Sequence, residues 1–141
     1  MAEFNLKKGL KGLAQIVVNY GNMAGRFSNP MPQSFATPML VSLFDNAAIE
    51  AVKRKLPAEY ITVATSINIK HFTPTPEGMT VTAEAELKEI IQNRLIFKVE
   101  AFDELEIIAT GEVERHIINL DKFTKNVIEK KKHLEIPSLV T

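Results

Sequence analysis

Three residues combine a chemically useful side chain with an informative position. Asp45 lies on one helical stripe with Val41 and Ile49, and a carboxylate in apolar surroundings has an adjustable pKa. His71 has the apolar parity of its predicted strand, where an imidazole can transfer protons near neutral pH. Thr37 stands at the start of the helix that carries Asp45, where N–H groups can hold a developing oxyanion. Together these residue types could support acid–base chemistry on a polarised carbonyl.

Each of the three residues also has a structural interpretation. Asp45 would then point out through a gap or bind a structural partner, His71 would be a hydrogen-bonded histidine at a strand end, and Thr37 would be an ordinary helix cap. If Thr37 does mark an oxyanion site, the donors are expected from Met39 onward, because Pro38 has no N–H.

Cysteine and histidine usage narrows the chemistry further. The chain has no cysteine, which excludes disulfides, thiolate catalysis and cysteine-based metal sites. The other histidines are His116, on a more polar parity, and His133, in a charged tail. Because the histidines lack the short spacings of metal ligands, no metal is expected.

Charge and hydropathy make several partners poor expectations. Seventeen basic and 17 acidic residues give no net charge, so the basic field that nucleic acid or an anionic membrane would need is missing. The first ten residues lack the apolar run of a signal peptide, and no stretch reaches the roughly 20 apolar residues of a membrane span. We therefore expect a cytoplasmic protein.

The element that carries Asp45 is a pattern of helical period. Apolar residues recur at i, i+3, i+4, i+7, i+8 and i+11 over residues 40–51. Thr37 followed by Pro38 is typical of an N-cap and the first helical position, and Pro57 ends the pattern. Apolar residues on neighbouring faces predict a helix that is buried on most sides.

Alternation with a period of two predicts strands over residues 13–20, 61–71, 80–87, 95–101 and 107–117. On the second strand, one inward face is predicted to carry Ile61, Val63, Thr65, Ile67, Ile69 and His71. A loop rich in Gly, Asn, Pro and Ser spans residues 21–34, and its apolar side chains indicate that it folds over something. A polar, exposed helix is predicted over residues 121–132, attached through Phe123 and Val127.

One apolar helix and several strands with one apolar face each have few ways to pack. The sheet is expected to curl around the helix, since only the helix can cover its apolar face. These elements predict an α+β hot-dog fold, with an antiparallel sheet wrapped around one long central helix. The length fits a single domain over residues 1–141.

The spacing of Thr37 and Asp45 predicts an assembly. Eight residues on a straight helix are about 12 Å along the axis, too far for one small reacting centre to touch both. Two antiparallel helices related by a twofold axis would bring one chain's Thr37 near the other chain's Asp45. We therefore expect a homodimer with composite sites.

Four stretches resemble the fluoroacetyl-CoA thioesterase family of hot-dog proteins. They are residues 35–45, beginning FATPMLV, residues 64–71, residues 73–81, TPTPEGMTV, and residues 111–123, GEVERHIINLDKF. The resemblance covers about residues 13–127 without large gaps. It implies a thioester hydrolase whose threonine, acid and histidine correspond to Thr37, Asp45 and His71.

The resemblance also implies substrate-binding positions. The family's glycine near the thioester falls at Ala64, whose N–H can still donate, and its C-terminal arginine falls at Arg115. Arg115 would contact substrate or form a structural ion pair. The loop over residues 21–34 does not clearly reproduce the family's aromatic lid, and Phe27 and Phe35 are the residues that would serve in its place. Two positions depart from the family: Asp45 replaces a glutamate and Pro38 replaces a glycine.

The function implied is hydrolysis of a short or medium acyl-CoA, with CoA bound as part of the substrate and no other cofactor. Because of these departures from the family, the sequence does not predict that the acyl group is fluoroacetyl. A non-catalytic acyl-CoA binding protein on the same fold is the first alternative. An enoyl-CoA hydratase ranks lower, because that chemistry places a histidine on the helix soon after the acid, and none occurs between Asp45 and Lys55.

Overall fold

The computed structural model describes residues 4–28 and 30–135. Five strands form one antiparallel sheet in the order β1-β3-β4-β5-β2. The strands are β1 Lys11–Val17, β2 Tyr60–His71, β3 Thr80–Ile91, β4 Arg94–Phe102 and β5 Ile107–Asn119. The α-helices are α1 Thr37–Val52 and α2 Leu120–Lys132. Short 3-10 turns lie at Tyr20–Asn22, Ala24–Arg26, Lys53–Lys55 and His133–Glu135.

The core lies between α1 and the concave face of the sheet. The helix buries the side chains of Leu40, Leu43, Phe44, Ala47, Ala48, Ala51 and Val52. β3 and β4 bury the inward faces predicted for them, which consist of Val81, Ala83, Ala85, Leu87, Leu95, Phe97, Val99 and Ala101. Burial of these apolar surfaces on each other is the main force that curls the sheet. The predicted α+β hot-dog fold is confirmed.

β1 closes over α1 at very short range. A side chain at Gly12 would place its Cβ 2.1 Å from the carbonyl oxygen of Ala47 and 2.4 Å from the amide nitrogen of Ala51. Glycine on the strand is therefore required for this approach. Away from β1, the helix presents a half-buried stripe that contains Asp45 and Ile49.

β2 departs from simple alternation. A β-bulge between Ala64 and Ser66 shifts its register against β5. The extra residue exchanges the two faces of the strand, so Thr62 is buried and Ile61 is exposed. The predicted inward face from Ile61 to His71 is therefore wrong in its first half and holds only beyond the bulge.

The ends of two other elements also differ from the prediction. Ala36 is the residue that precedes α1 as N-cap, and it makes no side-chain capping bond, whereas Thr37 is the first residue of the helix. The first strand ends at Val17 rather than at Tyr20, which instead begins a 3-10 turn. The predicted capping role of Thr37 is therefore wrong, and its hydroxyl is used elsewhere.

α2 forms where the polar helix was predicted, but its attachment is weaker than expected. None of its residues is buried, and Phe123 and Val127 are 42% and 55% exposed. Asn119 caps its start by accepting a hydrogen bond from the N–H of Lys122. No helix in the described part of the chain combines the length and apolar character needed to cross a membrane.

Candidate active site

The start of α1 meets the last residue of β2. The N–H of Phe35 donates to the carbonyl of Thr75, in the loop that follows β2, at 2.9 Å. This attachment sets Thr37 beside His71, with 2.8 Å between Thr37 Oγ1 and His71 Nδ1. A hydroxyl and an imidazole at hydrogen-bond distance can exchange a proton. Two of the three predicted catalytic residues therefore meet within one chain.

The second ring nitrogen of His71, Nε2, is buried and has no hydrogen-bond partner in the part of the chain that the structure describes. Burial lowers the pKa of His71 from its ordinary value of 6.5, and the Thr73 backbone partly opposes that effect. Within the chain the imidazole is thus mainly neutral at pH 7 and able to accept a proton. A buried ring nitrogen in this state is available to a further hydrogen-bond partner.

An apolar groove of about 380 Å³ opens beside the Thr37–His71 pair, and we call it the threonine groove. Part of the loop over residues 21–34 forms one wall, as the apolar content of that loop indicated. The apolar lining consists of Ala24, Phe27, Met31, Pro32, Phe35, Ala36, Pro38, Phe72 and Pro74. An apolar groove that ends at a few polar groups is typical of a small-molecule site.

Asp45 meets a buried arginine rather than His71. Arg115 projects inward from β5, is 4% exposed, and donates through Nη1 to Asp45 Oδ1. Its Nε donates to Thr62 Oγ1 at 2.8 Å and its Nη2 to the Thr62 carbonyl at 2.7 Å. The structure thus shows the ion-pair alternative for Arg115. The Asp45 side chain remains 29% exposed, so a ligand or a second chain can still reach it.

The Thr37–His71 pair and the Asp45–Arg115 pair lie far apart in a single chain. His71 pairs with Ala109 in the sheet, and Arg115 is six residues further along β5, which is about 20 Å of strand. Thr37 and Asp45 are separated by about two turns of α1. Within one chain, the fold brings Thr37 to His71 and Asp45 to Arg115, but it does not join the two pairs.

The predicted substrate-binding residues fall at different ends of this arrangement. Phe35 lines the threonine groove, but it is only 2% exposed and so forms its floor. Ala64 is exposed on the edge strand β2 and pairs with Arg115 in the sheet register. Ala64 therefore lies at the Asp45 end, distant from the Thr37–His71 pair in the same chain.

The first turn of α1 offers fewer free donors than expected. The N–H groups of Met39 and Leu40 both donate to the carbonyl of Ala36, at 3.1 and 3.0 Å. The expectation that donors from Met39 onward would hold an oxyanion is therefore wrong for these two groups. Because Pro38 has no N–H, the backbone donor of this turn that precedes them belongs to Thr37.

Thr62 was missed by the sequence analysis. It accepts hydrogen bonds from Arg115 with both its hydroxyl and its carbonyl. Simple alternation placed it on the outer face, and the bulge that turns it inward has no clear sequence signal. Within the described residues, no three His, Asp or Glu side chains are grouped as metal ligands would be.

The sequence matches a known family along most of its length. The family model described as fluoroacetyl-CoA-specific thioesterase matches residues 18–121. The chain belongs to this family. The fluoroacetyl-CoA thioesterase of Streptantibioticus cattleyicolor is 36% identical over 99 residues, which are 70% of this chain and 71% of that protein.

Solved structures agree with this assignment. The crystal structure of a point mutant of the fluoroacetyl-CoA-specific thioesterase has a TM-score of 0.82 at 30% identity, covering 89% of this chain and 98% of that one. A threonine-to-serine mutant in complex with acetyl-CoA has a TM-score of 0.81 at 29% identity over the same shares. A hypothetical protein of Thermus thermophilus, described as a thioesterase superfamily member, has a TM-score of 0.86 at 23% identity, covering 92% and 96%, and shows the fold alone.

As a member of the fluoroacetyl-CoA-specific thioesterase family, the chain is a thioester hydrolase that acts on acyl-CoA. The predicted family and enzyme class are confirmed. The individual roles of Thr37, Asp45 and His71 stay predictions, as does the identity of the acyl group.

Proposed function

We propose that this thioesterase hydrolyses a short or medium acyl-CoA to the free acid and CoA, in sites shared by two copies of the chain. Each site would take Thr37 and His71 from one copy and Asp45 from the other. The observation that carries the proposal is the Thr37–His71 hydrogen bond beside an apolar groove, combined with a buried His71 Nε2 that no described residue binds.

The edge of the sheet supports a shared site. β2 is an edge strand of 12 residues, and such a strand is a template for pairing with another chain. Antiparallel pairing of two β2 strands about their midpoints would set each His71 beside the start of the partner's β2. There Thr62 binds Arg115, which in turn holds Asp45. The partner's carboxylate would thus approach Nε2 of His71.

The proposed chemistry needs one proton acceptor and one polarised carbonyl. The thioester carbonyl would lie beside Thr37, with the acyl chain along the threonine groove. Neutral His71 takes the proton of the attacking oxygen as the new C–O bond forms. The tetrahedral intermediate then breaks its C–S bond, and the imidazolium returns the proton to the departing CoA sulfur. Asp45 of the partner would stabilise the imidazolium between these steps.

Two routes fit this arrangement and differ in the attacking oxygen. Water activated by His71 gives the acid in one displacement, whereas the Thr37 hydroxyl gives an acyl ester that water then hydrolyses. Intact-protein mass spectrometry after rapid acid quench separates them. An added acyl mass on the wild type, absent from a Thr37→Ala variant, supports the ester route. Hydrolysis by the Thr37→Ala variant at a similar kcat supports direct attack by water.

A thioester panel tests the function itself. Release of free CoA thiol is measured with acetyl-, fluoroacetyl-, butanoyl-, octanoyl- and dodecanoyl-CoA, with His71→Ala as the control. We expect turnover with short or medium acyl groups. Tight acyl-CoA binding without thiol release would instead identify a binding protein, and consumption of an enoyl-CoA double bond without thiol release would identify a hydratase.

A further inference from the structure

The turn between β4 and β5 carries a carboxylate that faces the interior. Asp103 directly follows the last residue of β4 and is only 7% exposed, although carboxylates are seldom buried without partners. Its Oδ1 accepts hydrogen bonds from the N–H groups of Leu105 and Glu106, at 2.9 and 3.1 Å. Its own N–H donates to the carbonyl of Glu106 at 3.0 Å. These bonds hold the carboxylate in a fixed orientation within the turn.

The other oxygen of this carboxylate reaches the loop that follows β2. The hydroxyl of Thr75 donates to Asp103 Oδ2 at 2.9 Å, and the Thr75 side chain is fully buried. A buried hydroxyl and a buried carboxylate satisfy each other in this way, whereas either group alone would be costly to bury. The bond therefore ties the loop after β2 to the β4–β5 turn.

The backbone of Thr75 connects this bond to the candidate site. Its carbonyl accepts the N–H of Phe35 at 2.9 Å, and Phe35 lies two residues before Thr37. Thr75 also lies four residues after His71 in the chain. The same residue thus binds the segment that leads into α1 and belongs to the segment that leaves β2. The Thr37–His71 hydrogen bond spans these two segments.

Prolines on both sides of Thr75 stiffen the connection. Pro74 and Pro76 each fix their own φ angle, and each disfavours a helical conformation in the residue before it. Because little local rotation remains, a displacement of the Thr75 side chain is passed on to its carbonyl. The position of the hydroxyl on Asp103 therefore helps to set the position of Phe35.

We propose that Asp103 and Thr75 are positioning residues for the Thr37–His71 pair. The proposal rests on the proposed function, because it gives that pair a part in turnover. Neither positioning residue is among those that line the threonine groove, so neither is placed to contact an acyl chain bound there. Loss of the bond between them should slow the chemical step and leave substrate binding nearly unchanged.

Variants of Thr75 separate its hydroxyl from its shape. Thr75→Val keeps the volume and removes the donor, whereas Thr75→Ser keeps the donor. Thr75→Val should lower kcat by roughly tenfold with KM for an acyl-CoA nearly unchanged, since a small misplacement of reacting groups slows the chemistry. Thr75→Ser should keep most of kcat.

Variants of Asp103 test the other side of the bond. Asp103→Ala should lower kcat as Thr75→Val does, again with little change in KM. Asp103→Asn should restore most of this loss, because an amide oxygen can accept the turn N–H groups while the amide nitrogen donates to the Thr75 hydroxyl.

Glu104 supplies a matched control in the same turn. Its carboxylate oxygens accept the N–H of Thr80 at 2.9 and 3.0 Å, so this residue also attaches the turn to a neighbouring segment. The contact is exposed and does not involve the residues that bind Phe35. Glu104→Ala should therefore keep the wild-type kcat. An equal loss of kcat in Glu104→Ala and Asp103→Ala would overturn the proposal, because any loosening of the turn would then suffice.

The ¹⁵N chemical shifts of the His71 ring report on its bond to Thr37 without any turnover. Thr37→Ala defines the shifts of a ring that lacks this bond, and His71→Ala assigns the signals. In Thr75→Val the Nδ1 shift should move toward the Thr37→Ala value, whereas in Glu104→Ala it should stay at the wild-type value. This result supports the positioning residues even if no thioester is hydrolysed.

The kinetic effect should also depend on Thr37. If the positioning residues act through the Thr37–His71 bond, Thr75→Val should lower kcat much less in a Thr37→Ala background than in the wild type. An equal loss in both backgrounds, or a wild-type ring shift in folded Thr75→Val, would overturn the proposal. A shifted ring with unchanged kcat would instead support the positioning and refute the part of the Thr37–His71 bond in turnover.

Circular dichroism checks that each variant is folded. Thr75→Val leaves one oxygen of the buried Asp103 carboxylate without its donor and should lower the midpoint of thermal unfolding. If that variant does not fold, the double variant Thr75→Val/Asp103→Asn takes its place in both measurements, because it removes the charge as well as the bond. The same kcat loss and ring shift are expected from it, and wild-type values of both would overturn the proposal.

Discussion

Asp45 Oδ1 accepts a hydrogen bond from Nη1 of Arg115, so the lone carboxylate of an apolar helix stripe is tied to a buried cation of the sheet. The ion pair explains how the acid is held there: a carboxylate that would otherwise lose solvation gains a charged partner. It also means that substitutions of Asp45 and Arg115 change stability in addition to testing the proposed catalytic role of Asp45. The predictions below separate these effects.

Asp45→Asn is expected to lower kcat by about 10²-fold or more, because the amide cannot stabilise an imidazolium as a carboxylate does. The free energy of unfolding should fall by only about 1–2 kcal/mol, since Asp45 is partly exposed and asparagine can still accept a hydrogen bond. Thiol-release kinetics and thermal unfolding measure the two quantities. Asp45→Glu is the control that keeps the charge. Near wild-type kcat in the folded Asn variant would make Asp45 structural.

Arg115→Met is expected to lower kcat and stability together while leaving KM for acyl-CoA nearly unchanged. The variant frees Asp45 from its fixed position and leaves the Thr62 carbonyl without its guanidinium donor, which costs about 2–4 kcal/mol. Arg115→Lys should restore little, because an ammonium cannot bond Thr62 and Asp45 in the same planar fork. A large rise in KM at unchanged kcat would instead place Arg115 in contact with substrate.

The pKa of His71 is expected to depend on Asp45 of the partner. Burial alone lowers the pKa of His71 below 6.5, whereas a neighbouring carboxylate raises the pKa of an imidazole. In Asp45→Asn the burial effect remains, so the His71 pKa should lie below 6.5 and below that of the wild type. NMR titration of the ring, assigned with His71→Ala, measures the shift. Equal values in the two proteins would show that no Asp45 approaches His71.

In the Asp45→Asn variant, the lowered pKa of His71 also sets how the free energy of unfolding changes with pH. With a folded pKa below the unfolded value of 6.5, the unfolded chain binds a proton first as the pH falls. The contribution of His71 is therefore complete above pH 6.5 and is lost as the pH falls toward the folded pKa. Unfolding free energies of Asp45→Asn, with and without the further change His71→Ala, measure this contribution. If His71 instead makes Asp45→Asn more stable as the pH falls below 6.5, the expected sign is wrong.

Sequence patterns with one clear period were sufficient to predict most of the fold. β3 and β4 bury the faces that their alternation indicated, because neither strand carries a bulge within residues 81–87 or 95–101. The first half of β2 was not predictable, since the bulge at Ala64 and Ser66 exchanges its faces. A single extra residue in an edge strand leaves no mark in composition or hydropathy.

The sequence predicted which residues belong to the candidate site better than it predicted the contacts between them. Mid-helix acidity singled out Asp45, and strand parity beyond the bulge singled out His71. The partner of Asp45 could not be found this way, because Arg115 reaches it only after β5 and α1 are packed together. Thr37 likewise fits a cap in the sequence, and its bond to His71 depends on the loop that joins Phe35 to Thr75.

The shared-site model predicts that two inactive chains restore each other. Thr37→Ala removes the hydroxyl beside His71, and Asp45→Asn removes the acid about two helical turns further along α1. In a mixed dimer, one site combines both substitutions and the other contains neither, so about half of each mixed dimer should be active. Equal mixing gives about half mixed dimers, and the recovered activity should approach about a quarter of the wild-type value.

Subunit exchange is measured separately by native mass spectrometry with one chain isotopically labelled, and the double variant Thr37→Ala/Asp45→Asn mixed with wild type is the control. Complementation requires that each single variant alone has lost most activity, and the same assay measures this loss first. Demonstrated exchange without recovered activity, or full activity in a protein that sediments as a monomer, would exclude a site shared between Thr37 and Asp45.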